Sequence, residues 1–202
     1  MLDRWALPLI KKPLHVCAEI AATFNLNANQ VTVLGFFIGM MTLPALAFQQ
    51  FDLALILILL NRISDGVDGE LARLTKPTDQ GAFLDIVLDF IFYSAVIFGF
   101  ALANPDQNAL VAAALIFAFI GTGSSFLAFS VIAERRQIKS VTYPNKGIYY
   151  MAGLAEGTET VVFFVFICLW PEYFVAAAWV FAAICYLTTA FRVWAGYRTL
   201  AD

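Results

Sequence analysis

Long apolar stretches separated by short polar connections dominate this chain and restrict it to the membrane. Hydrophobic residues make up 61% of the 202 residues and charged residues 13%, against about 25% charged residues in soluble domains. Several stretches approach or exceed the roughly 20 apolar residues that a helix needs to cross a bilayer. We therefore expect an all-α membrane protein with a single domain over residues 1–202.

The hydropathy pattern predicts a bundle of six transmembrane helices within residues 25–202. The predicted spans cover about residues 31–48, residue 52 into the acidic segment that begins at residue 64, and about 82–103, 109–133, 148–170 and 173–194. The connections on one side are short and lack Lys and Arg. An even number of spans places both termini on the same side of the membrane.

Residues 1–24 predict an amphipathic helix in the plane of the membrane interface. Apolar residues such as Trp5 and Leu14 mix there with basic residues such as Arg4 and Lys11, which is typical of an interfacial helix. Pro8 and Pro13 are expected to break or kink it, because proline lacks the backbone N–H that a helix interior uses.

All basic residues lie on the side that holds the two predicted termini. They are Arg4, Lys11, Lys12, Arg62, Arg73, Lys76, Arg135, Arg136, Lys139, Lys146, Arg192 and Arg198. The positive-inside rule therefore predicts a multi-pass protein of the cell (inner) membrane with cytoplasmic termini. These residues are too few and too scattered for a nucleic-acid surface, so nucleic acid is not an expected partner.

The acidic segment lies where the second predicted span ends and the third begins. Asp65 and Asp68 are three residues apart, and Asp85 and Asp89 are four apart, so each pair shares a helix face. The two helices are antiparallel neighbours joined by a short loop. We therefore expect the four carboxylates to converge near the cytoplasmic membrane surface.

Four converging carboxylates would repel one another and lose hydration unless cations compensate them. Oxygen ligands suit Mg²⁺ or Mn²⁺, and four acids can hold two ions. Two-metal sites stabilise the attacking and leaving oxygens of phosphoryl displacement. The same acids could instead cap helices and face water, but acidic residues within membrane spans are more often functional.

The pattern Asp65-x2-Asp68-Gly69-x2-Ala72-Arg73-x7-Gly81-x3-Asp85-x3-Asp89 resembles the signature of the CDP-alcohol phosphatidyltransferases. This resemblance extends to the six-span plan and the interfacial helix. It implies attack by the hydroxyl of a small alcohol on the lipid-bearing phosphorus of CDP-diacylglycerol, with release of CMP. Asp65, Asp68, Asp85 and Asp89 would then be metal ligands, and Asp89 would also be the catalytic base.

The resemblance also implies a set of residues that bind the CDP-linked donor. Arg73 would pair with the pyrophosphate, and Gly69 would let the nucleotide approach the backbone. The upstream segment "NANQVTVLG" is similar to the family's "PNxxT" entry to the first span, with alanine in place of proline. The expected donor-binding residues are Asn29, Thr32, Gly69, Ala72, Arg73, Thr78 and Gly81. Asn29 could equally be the N-cap of the first span.

The acceptor alcohol is less constrained by the sequence. Five charged residues near the fourth and fifth spans are the candidate acceptor-binding residues: Arg135, Arg136, Lys139, Glu156 and Glu159. Paired arginines favour a phosphorylated polyol, although the basic residues could merely set topology. Glu156 and Glu159 stand where related proteins often have arginines, so serine, ethanolamine or choline stays an alternative.

Two other classes of protein compete with the enzyme hypothesis: a cation transporter and a catalytically silent scaffold. The acids cluster at one membrane face and no inverted repeat is visible, which argues against transport. Gly35 and Gly39 form a GxxxG pair that could pack within the chain or in a homodimer. The cysteines Cys17, Cys168 and Cys185 are expected to be inert packing thiols.

Overall fold

The computed structural model describes residues 3–137 and 154–201, with side chains from residue 11 onward. These ranges contain helices and no β-strand, so the all-α prediction is confirmed for them. The helices are α1 (Asp3–Thr23), α2 (Ala28–Met40), α3 (Thr42–Ala47), α4 (Phe51–Leu74), α5 (Asp79–Ala103), α6 (Pro105–Arg135), α7 (Gly157–Leu169), a short 3-10 helix (Pro171–Tyr173) and α8 (Phe174–Thr199).

Side-chain caps fix where three of the helices begin. Asn27 accepts a hydrogen bond from the Gln30 backbone N–H, and the Gln30 side chain accepts one from the Asn27 N–H, which completes a capping box at the start of α2. Thr78 caps α5 by accepting from the Gly81 N–H. Asn104 caps α6 in the same way, so the polar connections of the sequence define the helix starts.

Four helical segments are long and apolar enough to cross a membrane, by length and composition: Ala28–Ala47, Asp79–Ala103, Pro105–Arg135 and Pro171–Thr199. Helix α4 has 24 residues, but charged side chains fill its second half. Helix α7 has 13 residues, and the expected start of its span lies in residues 138–153, outside the described ranges. The count of six spans therefore stays a prediction.

Aromatic side chains form much of the bundle core. Phe100 stacks on Phe174 with ring centroids 4.6 Å apart, and Phe163 stacks on Phe181 at 4.5 Å. Phe92 is fully buried in the same cluster. These rings join α5, α7 and α8, and the same core continues into α3, α4 and α6.

Helices α2 and α4 cross closely because glycines lie at their contact. A Cβ atom on Gly35 would lie 2.5 Å from the Ser64 Cβ, and one on Gly39 would lie 2.7 Å from the Asn61 Nδ2. Small residues permit this kind of approach between helices in a membrane. The GxxxG pair therefore packs within the chain, and it gives no indication of a dimer.

Helix α1 packs on the acidic half of α4. Ala18 is fully buried against Val67 and Leu71, and Leu14 lies over Gly66 so closely that a Cβ there would be 2.7 Å from its Cδ1. Helix α1 is continuous from Asp3 to Thr23, so the two prolines do not break it, and the alternative of a kink stays a prediction. Tertiary packing along α4 stabilises the helix despite the hydrogen bonds that proline removes.

Candidate active site

The structure brings the four predicted aspartates to one narrow cavity between α2, α4 and α5. This acidic cavity is lined by Thr32, Gly35, Phe36, Asn61, Arg62, Asp65, Asp68, Asp85, Leu88 and Asp89. The last turns of α4 and the first turns of α5 meet because residues 75–78 reverse the chain between them. Asp65 of α4 and Asp85 of α5 therefore line the same cavity.

The chemistry of this donor set fits a divalent cation. Asp68 is 5% exposed, and its Oδ2 atom is buried with no hydrogen-bond partner among the described residues. A buried carboxylate oxygen is costly unless a cation or donor satisfies it. In the described ranges, however, no three acidic, histidine or cysteine side chains are already arranged around one metal position.

Arg62, which the sequence signature does not include, lies next to two of these carboxylates. Its Nη2 atom donates to Asp89 Oδ1 at 2.6 Å, and its Nη1 atom lies 3.6 Å from Asp65 Oδ2. It therefore draws two of the four carboxylates to itself. The sequence does indicate that Arg62 could pair with Asp65, because Arg62 lies three residues before it on the same helix face and follows an apolar run.

A second, larger cavity adjoins the acidic cavity and has a volume of about 1040 Å³. We call it the motif cavity. All seven predicted donor-binding residues line it: Asn29, Thr32, Gly69, Ala72, Arg73, Thr78 and Gly81. Asp65, Asp68 and Asp85 line it as well. The motif cavity and the acidic cavity therefore share a wall of three carboxylates.

Asn29 is not the N-cap of α2, because Asn27 occupies that position and completes the capping box. Asn29 instead points toward the start of α5, where a Cβ on Gly81 would meet its Oδ1 at 2.8 Å. The capping interpretation of Asn29 is thus wrong. Its side chain stays at the rim of the motif cavity, between α2 and α5.

Arg73 is positioned by Glu70, an acid that is not part of the sequence signature. Its Nη2 atom donates to Glu70 Oε1 at 2.8 Å, while the Arg73 side chain is 62% exposed. Glu70 is 6% exposed, and its other oxygen lies 3.7 Å from His15 Nδ1 on α1. Glu70 therefore holds the guanidinium of Arg73, which lines the motif cavity.

A third cavity of about 170 Å³ lies between α5, α6, α7 and α8. We call it the Arg192 cavity. Its polar side chains are Tyr93, Thr122, Glu156, Thr160 and Arg192. Arg192 is 7% exposed, donates through Nη1 to the Thr122 carbonyl at 3.0 Å, and lies over the Phe126 ring.

The predicted acceptor-binding residues separate in the structure. Glu156 lines the Arg192 cavity, and Glu159 is half-buried in the first turn of α7. Arg135 and Arg136 are exposed at the end of α6 and line none of the three cavities, because this helix of 31 residues carries them beyond the bundle. Lys139 lies outside the described residues. In the sequence, Arg192 served only as evidence for the orientation of the chain in the membrane. Its position after an apolar run could have marked it as a candidate site residue.

The chain belongs to the CDP-alcohol phosphatidyltransferase family, whose model matches residues 25–194. This membership identifies it as a membrane transferase of phospholipid biosynthesis. It is 52% identical to the inner membrane protein YnjF of Escherichia coli K12 over 200 residues, which are 99% of this chain and 97% of that protein.

Two further similarities concern proteins with named activities. The chain is 33% identical to the archaetidylinositol phosphate synthase of Pyrococcus horikoshii over 98 residues, which are 48% of this chain and 52% of that protein. Its fold resembles the crystal structure of Mycobacterium tuberculosis phosphatidylinositol phosphate synthase (PgsA1) with CDP-DAG bound. That match has a TM-score of 0.73 and 18% identity, and it covers 91% of this chain and 93% of the other.

Proposed function

We propose that this protein transfers a phosphatidyl group from CDP-diacylglycerol to the hydroxyl of a small alcohol and releases CMP. The observation that carries the proposal is the shared wall of Asp65, Asp68 and Asp85 between the motif cavity and the acidic cavity. A nucleotide held in the motif cavity would present its pyrophosphate to this wall. The named activity of the structural neighbour that holds CDP-DAG supports the choice of donor.

The motif cavity offers one contact for the donor's pyrophosphate, at Arg73, and space for its nucleotide, at Gly69. Arg73 would pair with the pyrophosphate, because its planar fork of N–H groups matches phosphate oxygens. A Cβ on Gly69 would meet only the Arg73 guanidinium, at 3.6 Å or more. The missing side chain at Gly69 therefore leaves space inside the cavity, which a ligand can use.

The reaction is a direct displacement at the lipid-bearing phosphorus. The acceptor oxygen forms a new bond to phosphorus, and the bond from phosphorus to the CMP oxygen breaks. Asp89 would accept the proton of the attacking hydroxyl. In the structure, the Asp89 carboxylate pairs with Arg62.

The acidic cavity would hold Mg²⁺ or Mn²⁺, with room in the donor set for two ions, and the family generally depends on divalent metals. Asp65, Asp68, Asp85 and Asp89 are the proposed ligands, and the orphaned Asp68 oxygen supports this assignment. The ions would supply charge neutralisation at the phosphoryl oxygens and a lower pKa for the attacking hydroxyl.

The Arg192 cavity is the proposed site for the acceptor. Phe90 and Tyr93 line it from α5 and lie one and four residues after Asp89, so it adjoins the proposed base. A buried arginine suits a phosphorylated polyol, and Glu156 and Thr160 could bind its hydroxyl groups. Serine, ethanolamine or choline is the alternative, with Glu156 receiving the ammonium group.

The test is CMP release by the purified protein from CDP-diacylglycerol with Mg²⁺ or Mn²⁺. The acceptors are glycerol phosphate, inositol phosphate, serine, ethanolamine and choline, and Asp65→Asn is the inactive control. We expect one acceptor to stimulate release strongly and a chelator to abolish it. Release that is equal in the control, or absent with every acceptor, would contradict the proposed reaction. Full activity after verified metal removal would contradict only the metal.

Two variants then separate the classes of acceptor. For an anionic acceptor, Arg192→Gln should raise the apparent KM for the acceptor by about tenfold or more, since a charge-assisted hydrogen bond is lost. For a cationic acceptor, Glu156→Gln should have that effect instead. Arg135→Gln removes an exposed charge from the same end of the bundle and is the control. An equal effect of Arg135→Gln would move the acceptor site away from the Arg192 cavity.

A further inference from the structure

Arg62 is the residue of the acidic cavity that the proposed reaction leaves without a chemical role. Its side chain is 12% exposed and forms a two-pronged pair with Asp89, through Nη2 to Oδ1 at 2.6 Å and Nη1 to Oδ2 at 3.3 Å. Its Nη1 atom also lies 3.6 Å from Asp65 Oδ2. One guanidinium thus faces two of the four carboxylates proposed to bind metal.

Several neighbours hold Arg62 in this position independently of the acids. Asn61 Oδ1 accepts from Nε at 2.9 Å and from Nη2 at 2.6 Å, and Asn61 itself donates to the Gly35 carbonyl at 2.9 Å. Nη1 also donates to the Tyr93 hydroxyl at 3.0 Å. The guanidinium carbon lies 4.9 Å from the Phe92 ring centroid and 5.0 Å from that of Tyr93.

These contacts bind the positively charged guanidinium of Arg62 inside the acidic cavity. Stacking on aromatic rings and a fork of planar N–H groups are properties of guanidinium that lysine lacks. Arg62 pairs with both Asp89 oxygens. A divalent ion bound to Asp89 would therefore compete with the guanidinium for the charge of the same carboxylate.

We propose that Arg62 is a built-in cation of the acidic cavity that competes with the divalent metal for Asp89 and Asp65. Without metal, Arg62 compensates part of the charge of four neighbouring carboxylates and keeps Asp89 ordered. When metal binds, Asp89 turns from Arg62, which retains Asn61, Tyr93 and its two rings. Arg62 thus sets the metal concentration that the protein requires. This inference rests on the divalent metal of the proposed function.

The competition predicts that loss of Arg62 strengthens metal binding. A purely structural role predicts the reverse, because a cavity that has lost its shape binds metal less well. Arg62→Met keeps an unbranched apolar stem near the Phe92 and Tyr93 rings but removes the charge. Arg62→Lys keeps the charge but cannot hold both Asp89 oxygens and Asn61 together. Arg198→Gln removes a charge that stacks on Trp194, away from the aspartates, and is the matched control.

The experiment measures Mn²⁺ binding to each purified full-length protein by the loss of the free-ion electron paramagnetic resonance signal. It needs no transferase activity. We expect about tenfold tighter binding for Arg62→Met, because a positive charge a few ångströms away is removed. We expect about threefold tighter binding for Arg62→Lys, because its pairing is weaker while its charge is kept. Arg198→Gln should bind Mn²⁺ as the unmodified protein does.

Each outcome decides the proposal. Unchanged or weaker binding in the Arg62 variants, with normal binding by the unmodified protein, overturns the competition and leaves the proposed function intact. An equal gain in Arg198→Gln also overturns it, since any positive charge would then have the same effect. If thermal unfolding shows that Arg62→Met does not fold, Arg62→Lys alone decides. Absence of Mn²⁺ binding from every protein overturns both this inference and the proposed metal site.

Discussion

Asp89 lies between the acidic cavity, where it contacts Arg62, and the Arg192 cavity. Its carboxylate pairs with Arg62, and the residue after it, Phe90, lines the Arg192 cavity. A base for the acceptor hydroxyl needs access to the acceptor and a fixed orientation. As the proposed base, Asp89 would reach the acceptor from α5, because Phe90 and Tyr93, which follow it, line the Arg192 cavity.

Asp89→Asn should therefore reduce turnover by about 10²–10⁴-fold while donor binding persists, since the amide keeps the size of the side chain but cannot accept the proton. CMP release gives the rate, and binding of labelled CDP-diacylglycerol gives the affinity. Asp106→Asn is the control, because Asp106 is an exposed aspartate in the first turn of α6. Turnover near the unmodified level would assign the base to another residue.

Arg73→Lys should raise the apparent KM for the donor by about tenfold, since lysine keeps the charge but loses the planar fork that grips a pyrophosphate. The KM for the acceptor should stay unchanged. Steady-state kinetics with each substrate varied in turn measures both values, with Arg198→Lys as the control. A change confined to the acceptor would place Arg73 outside the donor site.

The sequence could predict that the four aspartates lie together, but not the long-range contacts of Arg62 and Arg192. Asp65 and Asp68 are three residues apart and Asp85 and Asp89 are four apart, and a helix places residues at these spacings on one face whatever surrounds it. Arg62 meets Asp89 across 27 positions of sequence, and Arg192 meets Thr122 across 70. Contacts between residues so far apart in sequence depend on how the helices pack. No spacing in the sequence indicates that Arg62 contacts Asp89 or that Arg192 contacts Thr122.

At the scale of the elements, the acidic cavity depends on how closely α2 approaches α4. Gly35 and Gly39 lie against Ser64 and Asn61, which lie beside Arg62 and Asp65 in the sequence. Any side chain at these glycines would move α4 away from α2. The distance between the two helices is therefore part of the geometry of the site.

Gly39→Ala should lower the free energy of unfolding by about 1–3 kcal/mol, because overpacking a tight contact forces its neighbours to shift. A Cβ there would lie 2.7 Å from Asn61 Nδ2 and 2.9 Å from Phe92 Cδ2. Gly157→Ala is the control, since a Cβ on Gly157 has nothing within 4 Å. Unfolding in detergent measures both, and equal stability of the two variants would contradict the close packing.

The start of α1 shows where rules for single elements fail. Proline at two internal positions argues against a helix, but α1 runs through both to Thr23. Its apolar residues pack on Val67 and Leu71 of α4. A rule that considers one helix alone cannot include this surface.

At the scale of the whole molecule, the accessible thiol can report the side of the membrane. Cys17 on α1 is exposed, while Cys168 and Cys185 are buried. The expectation that all three are packing thiols is therefore wrong for Cys17, which faces away from α4. The cytoplasmic position of α1 remains a proposal from the distribution of Lys and Arg.

A membrane-impermeant maleimide should label Cys17 in inside-out vesicles and not in intact spheroplasts, because only the former expose the cytoplasmic face. Cys17→Ser should abolish the labelling, which controls for the two buried cysteines. The readout is the mass of the labelled protein. Labelling of Cys17 from the outer face would reverse the proposed orientation.

The motif cavity and the Arg192 cavity have no lining residue in common, and the acidic cavity lies beside both. On the proposed assignment, a lipid nucleotide in the motif cavity would leave open the route of a water-soluble alcohol into the Arg192 cavity. Both substrates could then be bound before the reaction, and a direct displacement does not store the phosphatidyl group on a side chain of the protein. We therefore expect the kinetics of a ternary complex.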